Sequence, residues 1–162
     1  EETGSQQQPE SGAFKVPRAE IERRTAAVQA ELGCAGIDGL FIVQRADLFY
    51  FSGTAQNGFL YVPAEGRPLL FVKQSVTRAR AESALADILA IDSVKAIPGL
   101  IADAGGRPAK RLAMELDVLP VNEFRFYRDL FQPREAVDGS PFVLRVRGIK
   151  SDWEIAQLEA TA

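Results

Sequence analysis

Histidine is absent from this 162-residue sequence, and cysteine, methionine and tryptophan each occur only once. Histidine is the usual general base near neutral pH and the commonest metal ligand. Histidine-dependent triads and the common zinc sites therefore cannot form within this chain, although carboxylate-only metal sites stay possible in principle. The single thiol, Cys34, excludes an internal disulfide and is typical of a reducing compartment. These absences indicate a chain with no catalytic centre of its own.

Neither the net charge nor the length of any apolar run indicates a nucleic-acid-binding or membrane protein. Its 19 basic and 22 acidic residues leave a formal net charge of -3, which argues against a broad basic surface for nucleic acid or membrane. No apolar run approaches the roughly 20 residues that span a bilayer, and no signal-peptide core occurs near the start. The composition, 46% hydrophobic and 25% charged, is typical of a globular domain. We expect a cytoplasmic protein that binds neither nucleic acid nor membrane.

Alternating helical and extended patterns predict an α/β fold in which helices flank a mixed β-sheet of about five to six strands. Residues 1–13 are polar and predict a flexible tail. Two apolar runs, 59–62 and 69–72, flank a turn with proline and glycine and predict an antiparallel hairpin. The other predicted extended segments are 39–43, 94–97, 111–116 and 136–137. The predicted helices are 17–32, 75–89, 100–104 and 121–131, with a helical turn at 46–51 and a helix or turn at 142–146.

The first predicted helix has an apolar stripe formed by Ile21, Thr25, Val28 and Leu32. This spacing places Arg23 and Arg24 on the solvated face. Cys34 follows the helix among small residues, where a partly buried thiol is favoured over a nucleophile.

The last segment of the chain starts a further helix. Ser151 and Glu154 have the spacing of a capping box, in which a serine before the helix and a glutamate in its first turn satisfy backbone N–H groups. We therefore expect residues 14–150 to form the domain, and residues 151–162 to begin a linker or the first helix of a domain that follows.

One segment could hold an anion because glycines expose backbone N–H groups beside basic side chains. It comprises Gly105, Gly106, Arg107, Lys110 and Arg111. A glycine turn with solvated basic residues is the favoured interpretation.

Glu115 and Asp117 are two residues apart, so on a strand they would point to the same side. Such a pair could bind a divalent cation or share a proton. A solvated end of a strand is the favoured interpretation, and the sequence predicts neither a metal site nor a catalytic residue here.

The polar loop of Thr54, Ala55, Gln56 and Asn57 follows an aromatic cluster, Phe49 to Phe51, which core packing explains. Short polar loops held by adjacent strands commonly contact ligands or partners. The loop is therefore our candidate for contact with a substrate or another subunit.

Several segments, taken in order, resemble the N-terminal domain of the creatinase/prolidase/Xaa-Pro aminopeptidase family. The helix 18–32 leads into the strand at 36–43, and the stretch 46–53, Ala-Asp-Leu-Phe-Tyr-Phe-Ser-Gly, is similar to the family's N-I-x-Y-L-[ST]-G motif. The hairpin 59–72 follows. The segment 144–155 is similar to the family's boundary motif R-x-I-K-[ST]-x-x-E-[IL].

This resemblance implies a ribonuclease-H-like first domain, followed in the parent protein by a "pita-bread" catalytic domain that this chain lacks. In the family, two divalent metal ions, such as manganese or cobalt, bind in that second domain. The resemblance therefore implies a non-catalytic domain of a metal-dependent Xaa-Pro aminopeptidase or dipeptidase. Its implied roles are oligomerisation and narrowing of the cleft for a proline-containing peptide, with the Thr54-to-Asn57 loop as the contributor.

Two alternatives stay open at the level of sequence. The parent could be a creatinase-like amidinohydrolase, which acts on a non-peptide amidino compound. The chain could also be a free-standing binding or oligomerisation module.

Overall fold

A computed structural model describes residues 15–162, and the expected tail at 1–13 lies outside this range. In chain order the elements are α1 (Arg18–Cys34), β1 (Gly39–Ile42), α2 (Arg45–Ser52), β2 (Gly58–Pro63), β3 (Leu69–Val72), α3 (Val76–Glu82), β4 (Asp87–Ala90), a 3-10 turn (Val94–Ala96), α4 (Ile97–Asp103), β5 (Arg111–Met114), α5 (Val121–Phe131), β6 (Glu135–Asp138), α6 (Ser140–Gly148) and α7 (Asp152–Thr161). The predicted α/β class is confirmed. None of the helices in this range has the length and apolar character needed to cross a bilayer.

The six strands form one mixed sheet in the order β4-β3-β2-β1-β5-β6. The predicted hairpin is confirmed, because β2 pairs antiparallel with β3, with Leu60 opposite Leu70. Strand β2 is also antiparallel to β1, whereas β3/β4, β1/β5 and β5/β6 pair in parallel. The carboxyl ends of the five parallel strands therefore lie at one edge of the sheet.

Alternate residues of each central strand point to opposite faces of the sheet, and both faces are covered by helices. Leu40 and Ile42 of β1 pack with α1, α2, α3 and α6, whereas Phe41 between them packs with α4 and α5. Leu112 and Met114 share the second face, as their alternation predicted. The sheet is thus the middle layer of three.

The predicted helix at 75–89 is wrong in its second half. Helix α3 ends at Glu82, and Asp87–Ala90 form the edge strand β4. Ser83 leaves the helix with an extended backbone, and its hydroxyl donates to the carbonyl of Ser52. Ile88 then pairs opposite Leu70. This long-range pairing outweighs local helical spacing.

The predicted strand at 94–97 is also wrong. Residues Val94–Ala96 form a 3-10 turn, and α4 begins at Ile97 with Pro98 in its first turn. Proline suits this position because its missing N–H would have no helical partner there. The predicted helices at 100–104, 121–131 and 142–146 are confirmed within α4, α5 and α6.

Candidate functional site

The candidate contact loop, Thr54 to Asn57, joins α2 to β2 and is braced against the end of α3. Thr54 is only 1% exposed, and its hydroxyl donates to the Glu82 carboxylate at 2.6 Å. The side-chain amide of Gln56 donates to the same carboxylate at 3.3 Å. Ala55 and Asn57 are exposed. They form the outward surface of a loop that Glu82 holds in place.

This loop lies at the carboxyl edge of the parallel strands. Ile42, the last residue of β1, pairs opposite Leu60, and Val72, the last residue of β3, pairs opposite Gly58. The loop precedes Gly58 directly, so it sits beside both strand ends. α/β sheets commonly bind ligands at this edge. Its role as a substrate or partner contact stays a prediction.

A second polar feature joins α1 to α7 and consists of Glu20, Arg23, Arg24, Ser151 and Glu154; we name it the boundary cluster. The Ser151 hydroxyl accepts from the Glu154 backbone N–H at 3.1 Å, which confirms the predicted serine cap. The same hydroxyl donates to Glu20 at 2.9 Å. The Glu154 carboxylate accepts from Arg23 at 2.8 Å. The predicted capping glutamate thus bonds to another helix.

Arg24 is buried, at 4% exposure, so its predicted solvated position is wrong. It donates to the Glu20 carboxylate at 3.0 Å and to the Tyr50 carbonyl at 2.8 Å. Its guanidinium also lies 4.1 Å from the centre of the Tyr50 ring. A buried charge is tolerated when such partners replace water. The Glu20–Arg24 spacing of four residues is the sequence signal for this pair, but that spacing carries no information on burial.

The boundary cluster keeps Glu20 charged. Burial by itself raises the pKa of this carboxyl, but hydrogen bonds from Arg23, Ser151 and Arg24 and the charge of Arg23 outweigh it and lower the pKa to about 2. Glu20 is 6% exposed. The site therefore contains a buried carboxylate that is ionised at neutral pH.

Glu115 is buried at 1% exposure, so its predicted place at a solvated strand end is wrong. It follows β5 directly, and its Oε2 accepts from the backbone N–H groups of Val43 and Gln44 at 2.9 Å each. These N–H groups lie where β1 ends and α2 begins. Glu115 thus ties the ends of two adjacent parallel strands together.

The pKa of Glu115 rises to about 8, chiefly because burial disfavours the charged form and also through a hydrogen bond with Asp47. Its buried Oε1 accepts no hydrogen bond within the described residues. The protonated form of the Glu115 carboxyl carries an O–H group, which can donate to the Asp47 carboxylate. Burial and the neighbouring Asp47 therefore favour the neutral form of Glu115.

Asp117 does not join Glu115, because the strand ends at Met114 and the two carboxyl groups take different partners. Asp117 accepts from the Ser140 hydroxyl at 2.6 Å, and the same hydroxyl lies 2.6 Å from Asp138. Across residues 15–162, no three acidic or thiol side chains are arranged to hold a metal ion.

The glycine segment forms a turn, as favoured. The N–H groups of Gly105 and Gly106 donate to carbonyls of α4 at 2.9 Å each. The Arg111 guanidinium donates to the carbonyls of Ala35 and Gly36 and to Glu135. The two glycine N–H groups and the Arg111 guanidinium therefore already have protein partners.

Cys34 is exposed at the end of α1, so its predicted partial burial is wrong. Helix α1 continues through Gly33, and Gly36 with φ of 66° ends the turn that follows. The added residues leave the thiol in solvent.

Residues 24–149 match the creatinase/prolidase N-terminal domain family. An uncharacterized hydrolase/peptidase of Sinorhizobium fredii is 26% identical over 172 residues, which cover 93% of this chain and 44% of that protein. This chain thus spans less than half the length of that relative.

Solved structures share the fold. The Xaa-Pro dipeptidase from Bacillus anthracis superposes with a TM-score of 0.72 at 18% identity, covering 84% of this chain and 38% of that chain. The N-terminal domain of the cytoplasmic peptidase PepQ from Mycobacterium tuberculosis superposes with a TM-score of 0.65 at 23% identity, covering 78% of this chain and 98% of that chain.

Proposed function

This chain belongs to the creatinase/prolidase N-terminal domain family, and on that premise we propose that it is the non-catalytic domain of a metal-dependent Xaa-Pro peptidase. The family match over residues 24–149 carries this proposal. The likeness to the fold of a Bacillus anthracis protein named an Xaa-Pro dipeptidase supports it. The parent is then an aminopeptidase or a dipeptidase that cleaves beside proline.

The division of labour that we propose assigns the chemistry to a second domain. That domain binds two divalent metal ions, such as manganese or cobalt, and the present chain helps to shape the substrate cleft. Residues 14–150 form the first domain, and 151–162 lead into the second. The Ser151 cap, which starts α7 just after the family match ends, supports this boundary.

The Thr54-to-Asn57 loop narrows the substrate cleft, or contacts a neighbouring subunit of a homo-oligomer, in this proposal. Its support is geometric. Glu82 holds the loop rigidly, and Ala55 and Asn57 face outward at the carboxyl edge of the sheet. Residues on loops positioned by a rigid scaffold are frequent ligand contacts.

We also propose a cytoplasmic location for the parent. The single exposed Cys34 suits a reducing compartment. The related PepQ of Mycobacterium tuberculosis is named a cytoplasmic peptidase.

A direct test compares this chain with its full-length parent in assays of proline-containing dipeptides with manganese or cobalt. We expect turnover by the parent and none by the chain alone. Turnover by the chain alone would contradict the non-catalytic role. A parent that hydrolyses creatine but no proline-containing peptide would contradict the peptidase assignment.

The loop is tested in the parent by Asn57→Ala, with Asn122→Ala on exposed α5 as the matched control. We expect the loop variant alone to raise KM for the dipeptide or to shift the oligomeric state in analytical ultracentrifugation. Unchanged values for both quantities would remove the loop from the proposal.

A further inference from the structure

No residue of α7 is fully buried, and in its first turn Trp153 and Glu154 are partly buried. Ile155 and Leu158, its large aliphatic side chains, are 42% and 60% exposed. Burial of apolar area is the usual way in which a helix docks on a core. Beyond its first turn, hydrophobic packing therefore contributes little to how α7 is held.

The boundary cluster supplies the directional contacts instead. Ser151 precedes α7 and Glu154 lies in its first turn, and both bond to α1: Ser151 to Glu20 at 2.9 Å, and Glu154 to Arg23 at 2.8 Å. The Arg24 guanidinium lies 3.8 Å from Glu154, and 5.7 Å from the ring of Trp153. All of these contacts hold the first turn of α7.

These contacts attach α7 to α1 and also fix the angle between the two helices. Carboxylate and guanidinium groups are planar, and hydrogen bonds between them are directional and charge-assisted. The α1 side of the cluster is rigid, because Glu20 and Arg24 are buried and Arg24 also bonds to the Tyr50 carbonyl in α2. From this fixed turn, the remaining residues of α7 project by about 1.5 Å per residue.

We propose that the boundary cluster is an orientation lock, which fixes the direction in which α7 leaves the sheet domain. Hydrophobic docking tolerates sliding and rotation, whereas directional ionic contacts favour one arrangement, a role that buried ionic groups have in some proteins. Resting on the function proposed above, α7 begins the catalytic domain, so Ser151 and Glu154 are positioning residues for that domain.

The lock is measured on this chain by double electron–electron resonance between nitroxide labels. Cys34 is the only native thiol, is exposed, and lies at the far end of α1; the second label goes on the exposed α7 residue in Ala160→Cys. We expect one narrow distance distribution for the native cluster. The double variant Ser151→Ala, Glu154→Gln should give a broad one.

Three controls separate the lock from general loosening. Glu31→Gln removes the α1–α6 ion pair with Arg145, at 2.9 Å, and should leave the distribution narrow. Ser151→Thr keeps the hydroxyl and should also leave it narrow. Circular dichroism should show a cooperative melt in every variant. A narrow, unshifted distribution in the double variant overturns the lock.

The consequence for function is read in the full-length parent. With the lock broken by the same double variant, Ser151→Ala, Glu154→Gln, misplacement of the second domain should lower kcat/KM by up to about a hundredfold, mainly through KM, while Glu31→Gln has no effect. Broadened distances in the chain would support the orientation lock. Unchanged kinetics of the same variant in the parent would contradict the role of α7 in positioning a catalytic domain.

Discussion

Glu20 and Glu115 are both buried, at 6% and 1% exposure, in two regions of the domain, yet the pKa values of their carboxyl groups shift in opposite directions. Glu20 faces the guanidinium groups of Arg23 and Arg24, and its pKa falls to about 2. Glu115 faces two backbone N–H groups and the carboxylate of Asp47, and its pKa rises to about 8.

The difference shows that burial alone does not decide the charge of a carboxyl group. Burial raises the pKa in both places, as it disfavours the charged form. Cationic donors reverse that effect at Glu20. At Glu115, two neutral backbone donors do not outweigh the effect of burial, and the neighbouring Asp47 carboxylate raises the pKa further. The ionised group joins α1 to α7, and the neutral group joins the ends of β1 and β5.

The largest expected loss of stability comes from Glu20→Ala, which removes the closer ion-pair partner of the buried Arg24. Removal of one partner of a buried ion pair costs about 3–5 kcal/mol, and since Arg24 keeps the Tyr50 carbonyl, we expect a fall near the lower end of that range in the free energy of unfolding at neutral pH. Urea denaturation measures it. The matched control is Glu135→Ala, which removes an exposed partner of Arg111 and should cost no more than about 1 kcal/mol.

Glu115→Gln isolates the neutral carboxyl, since an amide imitates its protonated form. The folded pKa of Glu115 lies above the usual value of 4.5, so the native state binds the proton more tightly than the unfolded state. Its contribution to stability is present below about pH 4.5 and is lost as the pH rises through 8. We expect the native protein to lose about 3 kcal/mol more than Glu115→Gln between about pH 5 and pH 8. Parallel pH profiles for the two proteins would contradict a neutral Glu115.

Glu20 should show the opposite dependence at acid pH. Because its folded pKa is lowered to about 2, its contribution is present above about pH 4.5 and is lost as the pH falls toward 2. Relative to Glu20→Gln, we expect the native protein to lose about 2 kcal/mol between about pH 6 and pH 3. Urea denaturation across this range measures the difference, and equal losses in the two proteins would show that Glu20 is not held ionised.

The smallest expected effect comes from Ser151→Ala, which removes a neutral hydrogen-bond donor of the Glu20 carboxylate. The substitution also removes the cap of α7. Loss of a serine cap costs about 1 kcal/mol of helix stability. We expect faster hydrogen exchange in α7 and little change at β1 and β5. Equal acceleration in the strands would mean that the cluster does not act locally.

Sequence patterns predicted the class of fold and most of the elements. The alternation of Leu40, Phe41 and Ile42 reflects two buried faces, and the proline and glycine between β2 and β3 favour a hairpin. The edge strand β4 was missed, because its apolar residues Ile88 and Leu89 also suit a helix. Only pairing with β3 distinguishes the two.

The candidate site divides in the same way. The cap at Ser151 was predictable, since it depends on residues three positions apart. Which residues of the Thr54-to-Asn57 loop are buried and which face outward was not predictable. The burial of Thr54 depends on Glu82, which lies 28 residues away in the sequence. The partner of Glu154 lies 131 residues away in α1.

Local pattern was therefore sufficient for hydrophobic alternation and for the serine cap of α7, because each depends on residue type or on neighbours within a few positions. The burial of Arg24 and the opposite pKa shifts of Glu20 and Glu115 arose only in the tertiary structure. The charge of a buried group depends on which distant donors the fold brings within hydrogen-bonding distance. Spacing along the chain does not contain that information.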